Sequence, residues 1–286
     1  MTGYPAAPAS LAEMAVQVLL TADGRAKTAL GRAHAATWRA ARAAVAAGDA
    51  AAALPVGHAA PPDRPARPVK PDLLPPRDVP RRRPGSPTGR IALLHAVAHI
   101  ELNAVDLHWD IIARFTDHPM PPGFYDDWVQ AADDEAKHFN LLCDCLEALG
   151  SHYGAMPAHA FMWQAAEDTA ADLLGRLAVV PMVLEARGLD VTPGMITLFG
   201  AAGDLGAVAA LETIYREEVA HVAYGSKWFN WLCGKQGADP KDAFHALVRR
   251  YFHGSLKPPF NDEKRAEAGI PPDFYWPLVE PKPDPA

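Results

Sequence analysis

Residues 133–142 read DDEAKHFNLL, and residues 216–225 read REEVAHVAYG. Each stretch sets an acid and a histidine three residues apart: Glu135 with His138, and Glu218 with His221. On a helix such positions lie about 60° apart and can touch the same object. A single pair would read as the solvated edge of an apolar face, since Phe139, Leu141 and Leu142 follow the first one directly. The repeat changes that reading. Each pair is preceded by an acid inside an apolar helical run, Glu101 in LLHAVAHIELNAVDL and Glu185 in AVVPMVLEARGL. The spacing from Glu101 to Glu135 is 34 residues, and that from Glu185 to Glu218 is 33.

Two helical hairpins with nearly equal arms, joined by a long crossover, bring the four glutamates to one level of a bundle. Each acid then lies about 22 Å from its hairpin tip at 1.5 Å per residue. Glu followed by Glu-x-x-His, twice over, is the di-iron or di-manganese carboxylate arrangement of ferritin-like bundles. Bridging carboxylates neutralise two adjacent cations, while each imidazole fills one position and leaves others open. Four carboxylates in apolar surroundings without cations would be strongly unfavourable. Arginine partners would be the other solution, but Arg187 and Arg216 do not share a face with the neighbouring acid. The expected ligands are therefore Glu101, Glu135, His138, Glu185, Glu218 and His221. They are expected to hold two Fe or Mn ions, with Zn as a possible substitute.

Neighbouring residues leave alternatives open. Asp134 and Glu217 precede the two motif acids and compete for the ligand role through i, i+4 geometry; otherwise they orient the histidines. His108 returns to the face of Glu101 after seven residues, as a neighbour of the ligands or as a core histidine. His99, about 200° from Glu101 around the helix, and His95 face elsewhere. Tyr215 is an oxidisable neighbour of the site or a core tyrosine.

The rest of the chain reads as all-α. An Ala-rich region over 10–50 forms two helices broken at TADG (21–24). Prolines from Pro55 to Pro87 exclude regular helix and central strand. Helices are then expected over 88–117, starting at Ser86-Pro87, and over 123–149. A third is expected over 160–188, kinked at Pro181. A short helix in VTPGMITLFGAAG, a long one from Asp204 to Cys233, and one capped by Asp239 with Pro240 at its start follow. The tail from Leu256 reads as irregular. The organisation expected is an N-terminal helical arm (1–54), a basic Pro-rich linker lying on the bundle (55–87), the ferritin-like four-helix bundle (88–235), and a C-terminal helix and tail (236–286).

Composition narrows the function classes. A net charge of −7 with 49% apolar and 21% charged residues describes a globular protein and gives no general case for nucleic acid. Residues 61–90 nevertheless hold eight Lys/Arg against three Asp, a local excess that can meet phosphates. Cys143, Cys145 and Cys233 make neither a disulfide framework nor a zinc spacing. No membrane span is visible, and LAEMAVQVLL is interrupted by Glu13, so neither a signal peptide nor membrane association is expected. Cytoplasmic location is expected.

LLHAVAHIELNAVDL, DEAKHF, EEVAHVAYG and the tail KPPFNDEKRAEAGI together resemble the ferritin-like superfamily, and more closely an uncharacterised bacterial family within it. That family is distantly similar to the di-iron hydroxylase of a prenylated adenosine in tRNA. The resemblance spans roughly residues 10–275 and implies the six metal ligands already named, without giving a substrate. The expected function is that of an oxygen-activating oxidase or hydroxylase acting on a small molecule. The alternative is a ferroxidase, storage or peroxide-handling protein with no organic substrate. A tRNA partner would use the basic stretch around Arg81, Arg82 and Arg83.

Overall fold

The computed structural model describes residues 8–80 and 85–279, and among these it is all-helical, with isolated bridges at Leu73–Ala158 and Leu256–Val279 as the only β pairing. Helices α1 (Leu11–Leu19) and α2 (Gly24–Ala46) form the N-terminal arm, with the break at residues 20–23. The long helices start where local chemistry supplies a cap. The Ser86 hydroxyl accepts from the Gly89 N–H at 3.0 Å, and Pro87 opens α3 (Pro87–Arg114). Pro122 opens α4 (Pro122–Ala148). Asp204 accepts from the Ala207 N–H at 3.0 Å at the head of α8 (Leu205–Gln236), which ends on Gly237 at φ +65°. Asp239 caps α9 (Pro240–Tyr251).

The third bundle arm departs from expectation at both ends. Instead of one helix over 160–188, α5 (Phe161–Asp168) stops, and Asp172 caps a fresh start at α6 (Leu173–Val179) through the Gly175 N–H at 2.9 Å. The chain then passes through one π-helical stretch, Val180–Glu185, into α7 (Ala186–Ala201). Pro181 thus produces a change of hydrogen-bond register, and the arm runs on through Pro193 rather than ending near 188. Pro193 has no N–H to give the Leu189 carbonyl, but Asn261 Nδ2 donates to that carbonyl at 3.2 Å, so the helix continues without an orphaned acceptor. The tail is also more ordered than the irregular segment expected, with short helices α10 (Asp262–Glu267) and α11 (Pro272–Tyr275).

Helices α3 and α4 pack as one hairpin, and the π stretch and α7 pack with α8 as the other, while α4 lies against α8. The crossover over 149–172 carries α5 across α3. Outside this bundle, α1 lies on α3 and α2 on α4. Arg25, Arg32, Arg39 and Arg42 of α2 reach acids of α4, and buried Lys27 pairs with buried Asp106 of α3. The Pro-rich segment lies extended against the bundle: the Ala66 N–H donates to the Leu19 carbonyl, and Arg114 donates to the Pro62 carbonyl. Its basic side chains turn to protein partners, Arg64 to Glu167 and Lys70 to Asp72. Arg81, Arg82 and Arg83 lie outside the described residues. Among the described residues no helix is long and apolar enough to cross a membrane.

Candidate metal centre

Four elements converge on one point of the core. Glu101 comes from α3, Glu135 and His138 from α4, Glu185 from the last position of the π stretch, and Glu218 and His221 from α8. All six are buried, with Glu218 the most exposed at 7%. Ligand atoms of Glu101, Glu135, His138 and Glu218 all lie within 4.8 Å of one another. His221 joins them through Nδ1, which is 3.0 Å from Glu135 Oε1 and 3.7 Å from Glu218 Oε2. Glu185 stands on the wall of the cavity that Glu101, Glu135 and Glu218 also line. Its Oε1 accepts a hydrogen bond from His108 Nε2 at 2.9 Å, and it is outside the four-residue group.

Both motif histidines turn Nδ1 inward. His138 Nδ1 lies 3.2 Å from Glu101 Oε2 and 3.4 Å from Glu135 Oε2. Their outer nitrogens meet the acids that precede the motif glutamates, and they do so crosswise. Glu217 of α8 accepts from His138 Nε2 of α4 at 2.8 Å, and Asp134 of α4 faces His221 Nε2 of α8 at 3.5 Å. Lys137 joins the two acids, 2.8 Å from Asp134 and 2.7 Å from Glu217. An Nε2–H held by a carboxylate fixes the neutral tautomer whose Nδ1 lone pair points at the centre, as a ligating imidazole requires.

The electrostatics are those of a negatively charged core. Burial, reinforced by the neighbouring charge of Glu135, holds the Glu101 carboxyl well above its ordinary range. Burial and Glu135 together push Glu218 up to about 7. Burial would also raise Glu135, but its close contacts with Glu101, His138 and His221 outweigh it and hold this carboxyl well below the usual range. Burial opposes charge on His138 and His221 as well, yet the surrounding carboxylates hold both imidazoles well above the usual value.

The donor set fits a cation on a second, independent ground. Glu135 Oε1, Glu185 Oε2, Glu218 Oε2 and His221 Nδ1 are buried without a hydrogen-bond partner among the described residues. Glu135 Oε1 and His221 Nδ1 approach each other without hydrogen-bond alignment. Buried polar atoms are nearly always satisfied, so these unpartnered atoms are ones a metal ion could satisfy. No arginine or lysine among the described residues forms an ion pair with any of the four glutamates, so pairing with arginine does not account for them. Carboxylate oxygens with imidazole nitrogens suit Fe, Mn or Zn.

Residues 20–276 match a family described as "Protein of unknown function (DUF455)". The chain belongs to the DUF455 family. A protein of Haemophilus influenzae described as uncharacterized is 40% identical to it over 210 residues, which is 72% of this chain and 73% of that one. No solved structure matches the chain.

In this DUF455 protein the neighbouring candidates fall into place as follows. His108 touches Glu185 and stacks on Trp128 with ring centroids 5.3 Å apart. His99 faces away, bonded to the Tyr153 hydroxyl at 2.8 Å, and His95 stacks on the same ring. Tyr215 is tied by its hydroxyl to Asn261 at 2.7 Å. The sequence offers Asp134 and Glu217 as orienters of the histidines, but it does not show that each braces the histidine of the other helix, nor the part played by Lys137. A signal was present in the doubled acids, Asp134-Glu135 and Glu217-Glu218, but which acid serves which histidine is decided between helices.

Proposed function

We propose that this DUF455 protein is a ferritin-like di-metal carboxylate oxidase or hydroxylase, using iron or manganese held by Glu101, Glu135, His138, Glu185, Glu218 and His221. The observation that carries the reading is the set of orphaned carboxylate oxygens and inward-facing Nδ1 atoms beside a ≈ 230 Å³ cavity with largely apolar walls. Bound there, two such ions would supply the electrons and open positions that oxygen chemistry needs. The protein's own contribution is threefold. Glu217 and Asp134 keep the imidazoles oriented, the apolar walls exclude bulk water, and the buried glutamates are groups whose protonation can change at the centre. Hydroxylation would place one oxygen atom of O2 on the substrate and release the other as water. It would consume two electrons and two protons, with an external two-electron donor as reductant. A storage protein has no use for an apolar chamber against its metal site, so the organic-substrate reading is preferred to the ferroxidase one.

The test is anaerobic loading with Fe(II), metal analysis, and an optical spectrum before and after oxygen. Two ions per chain and a new near-ultraviolet absorption on oxygen exposure are expected. A protein that takes up no transition metal would overturn the assignment. One that takes up iron and is inert to oxygen would remove the oxidase.

A further inference from the structure

The bundle is closed by direct packing of α3 on α4, α4 on α8 and α8 on α7, and the cavity lies on the remaining side, where α3 faces α7. Val97 and Ile100 of α3, Val191 and Met195 of α7, and Ile214 of α8 form much of its wall, and Glu101, Glu135, Glu185 and Glu218 complete it. Ile100 is 40% exposed and Val191 36%, and since both also line the cavity they lie at its mouth. Arg187 is the one basic residue of the lining. Its Nη1 donates to the carbonyls of Lys257 and Pro259 at 2.8 and 3.0 Å and to Asp190 at 3.3 Å. Asp190 is also gripped twice by buried Arg265, at 2.8 and 2.7 Å. Two guanidinium groups share the Asp190 carboxylate, so Arg187 has no carboxylate of its own and stands as a single cation opposite the four glutamates of the lining.

We propose that this cavity binds an amphipathic molecule, with an aliphatic segment of about nine carbons inside and an anionic end on Arg187. The length follows from volume. An apolar cavity of about 150 Å³ takes benzene, so ≈ 230 Å³ takes about half as many atoms again. The walls offer an aliphatic segment contact without unpaired donors, whereas an anionic group placed inside would face the glutamates. This inference rests on the oxidase reading for the ligand's fate as substrate, but binding is measurable without it.

Gly188 provides the steric test. It lines the cavity, and a Cβ added there meets nothing within 4 Å, so larger side chains extend into open space instead of a wall. It lies within α7, where any ordinary residue favours the helix more than glycine does.

Isothermal titration of the purified full chain with straight-chain carboxylates from butyrate to dodecanoate, with nonylamine as control, tests the proposal. Affinity should rise about fourfold per methylene and level off near ten carbons, about nine of them in the aliphatic segment. Gly188→Ala should weaken nonanoate binding modestly and Gly188→Leu at least tenfold, with the melting temperature maintained. Arg187→Gln should remove the preference for the carboxylate over the amine. Absence of binding at every chain length, or binding indifferent to Gly188→Leu in a folded variant, overturns the proposal. Equal binding of nonylamine and nonanoate by the unaltered protein overturns the anionic end. Oxygen uptake by the iron-loaded protein, with and without nonanoate, separates the two readings. Binding that depends on Gly188 in a protein inert to oxygen would keep the cavity proposal and sink the oxidase.

Discussion

Asp134 and Glu217 offer a graded probe of the centre, because they touch its histidines and not its interior. Asp134→Asn and Glu217→Gln each weaken the hold on one imidazole, and each is expected to lower metal affinity about 10–100-fold while the stoichiometry stays at two. Glu101→Ala removes an inward oxygen donor and should abolish the paired site; competition with a chromophoric chelator distinguishes these outcomes. His95 gives a separate prediction, about stability. Burial, with a smaller effect of His152, brings its pKa down to about 4, and its Nε2 accepts from the Gly154 N–H at 2.9 Å. An unfolded histidine titrates near 6.5, so the unfolded chain takes up the proton first as pH falls. The contribution of His95 is complete above about 6.5 and is lost on the way down to about 4. Within that window it adds up to about 1.4 kcal/mol per pH unit to the slope of stability. Denaturant unfolding at pH 7, 6 and 5 should show a shallower slope in His95→Gln than in the unaltered protein; equal slopes would refute the assignment.

The π stretch between α6 and α7 fixes where Glu185 falls on the cavity wall. It is seated by a close approach: a Cβ built on Gly225 of α8 would lie 2.5 Å from Cβ and Cγ of Pro181. Gly225→Ala should therefore cost about 1–3 kcal/mol and disturb Glu185 as well. Its expected signature is a lower melting temperature together with an altered spectrum of the metal-loaded protein. Loss of stability with an unchanged spectrum would show that Glu185 does not depend on this contact. The same stretch shows where sequence legibility ends. Helices α3, α8 and α9 were readable because Ser86-Pro87, Asp204 and Asp239-Pro240 announce them locally. A proline inside a helical pattern indicates a fault but not its kind: the register shift at Pro181 involves Gly225, 44 positions on, and the continuation through Pro193 involves Asn261. Helices α10 and α11, at six and four residues, are too short to display a period.

For the molecule as a whole, the clustered acids and histidines come from α3, α4 and α8, so occupancy of the proposed centre should register in global stability. Melting with and without chelator at neutral pH is expected to show a clear drop when metal is removed, because an ion that binds the folded chain and not the unfolded one adds its binding free energy to stability. An unchanged melting temperature would mean that protons on Glu101, Glu218 and the histidines compensate in full. The clustering of Glu101, Glu135, His138 and Glu218 was legible at this scale because a doubled Glu-x-x-His with matched spacings of 34 and 33 residues has few other physical uses. The cavity was not, because its walls are ordinary Val, Ile and Met residues whose meeting depends on tertiary packing. The bracing of the histidines has one more implication. Glu217 and Asp134 each reach across to the other helix and share Lys137, so neither imidazole can be set without α4 and α8 being in register. If two ions bind as proposed, capture of the first would prepare the position for the second. Metal titration should give a sigmoidal isotherm, with singly loaded chains scarce at half saturation in native mass spectra, as a pair of independent positions would not.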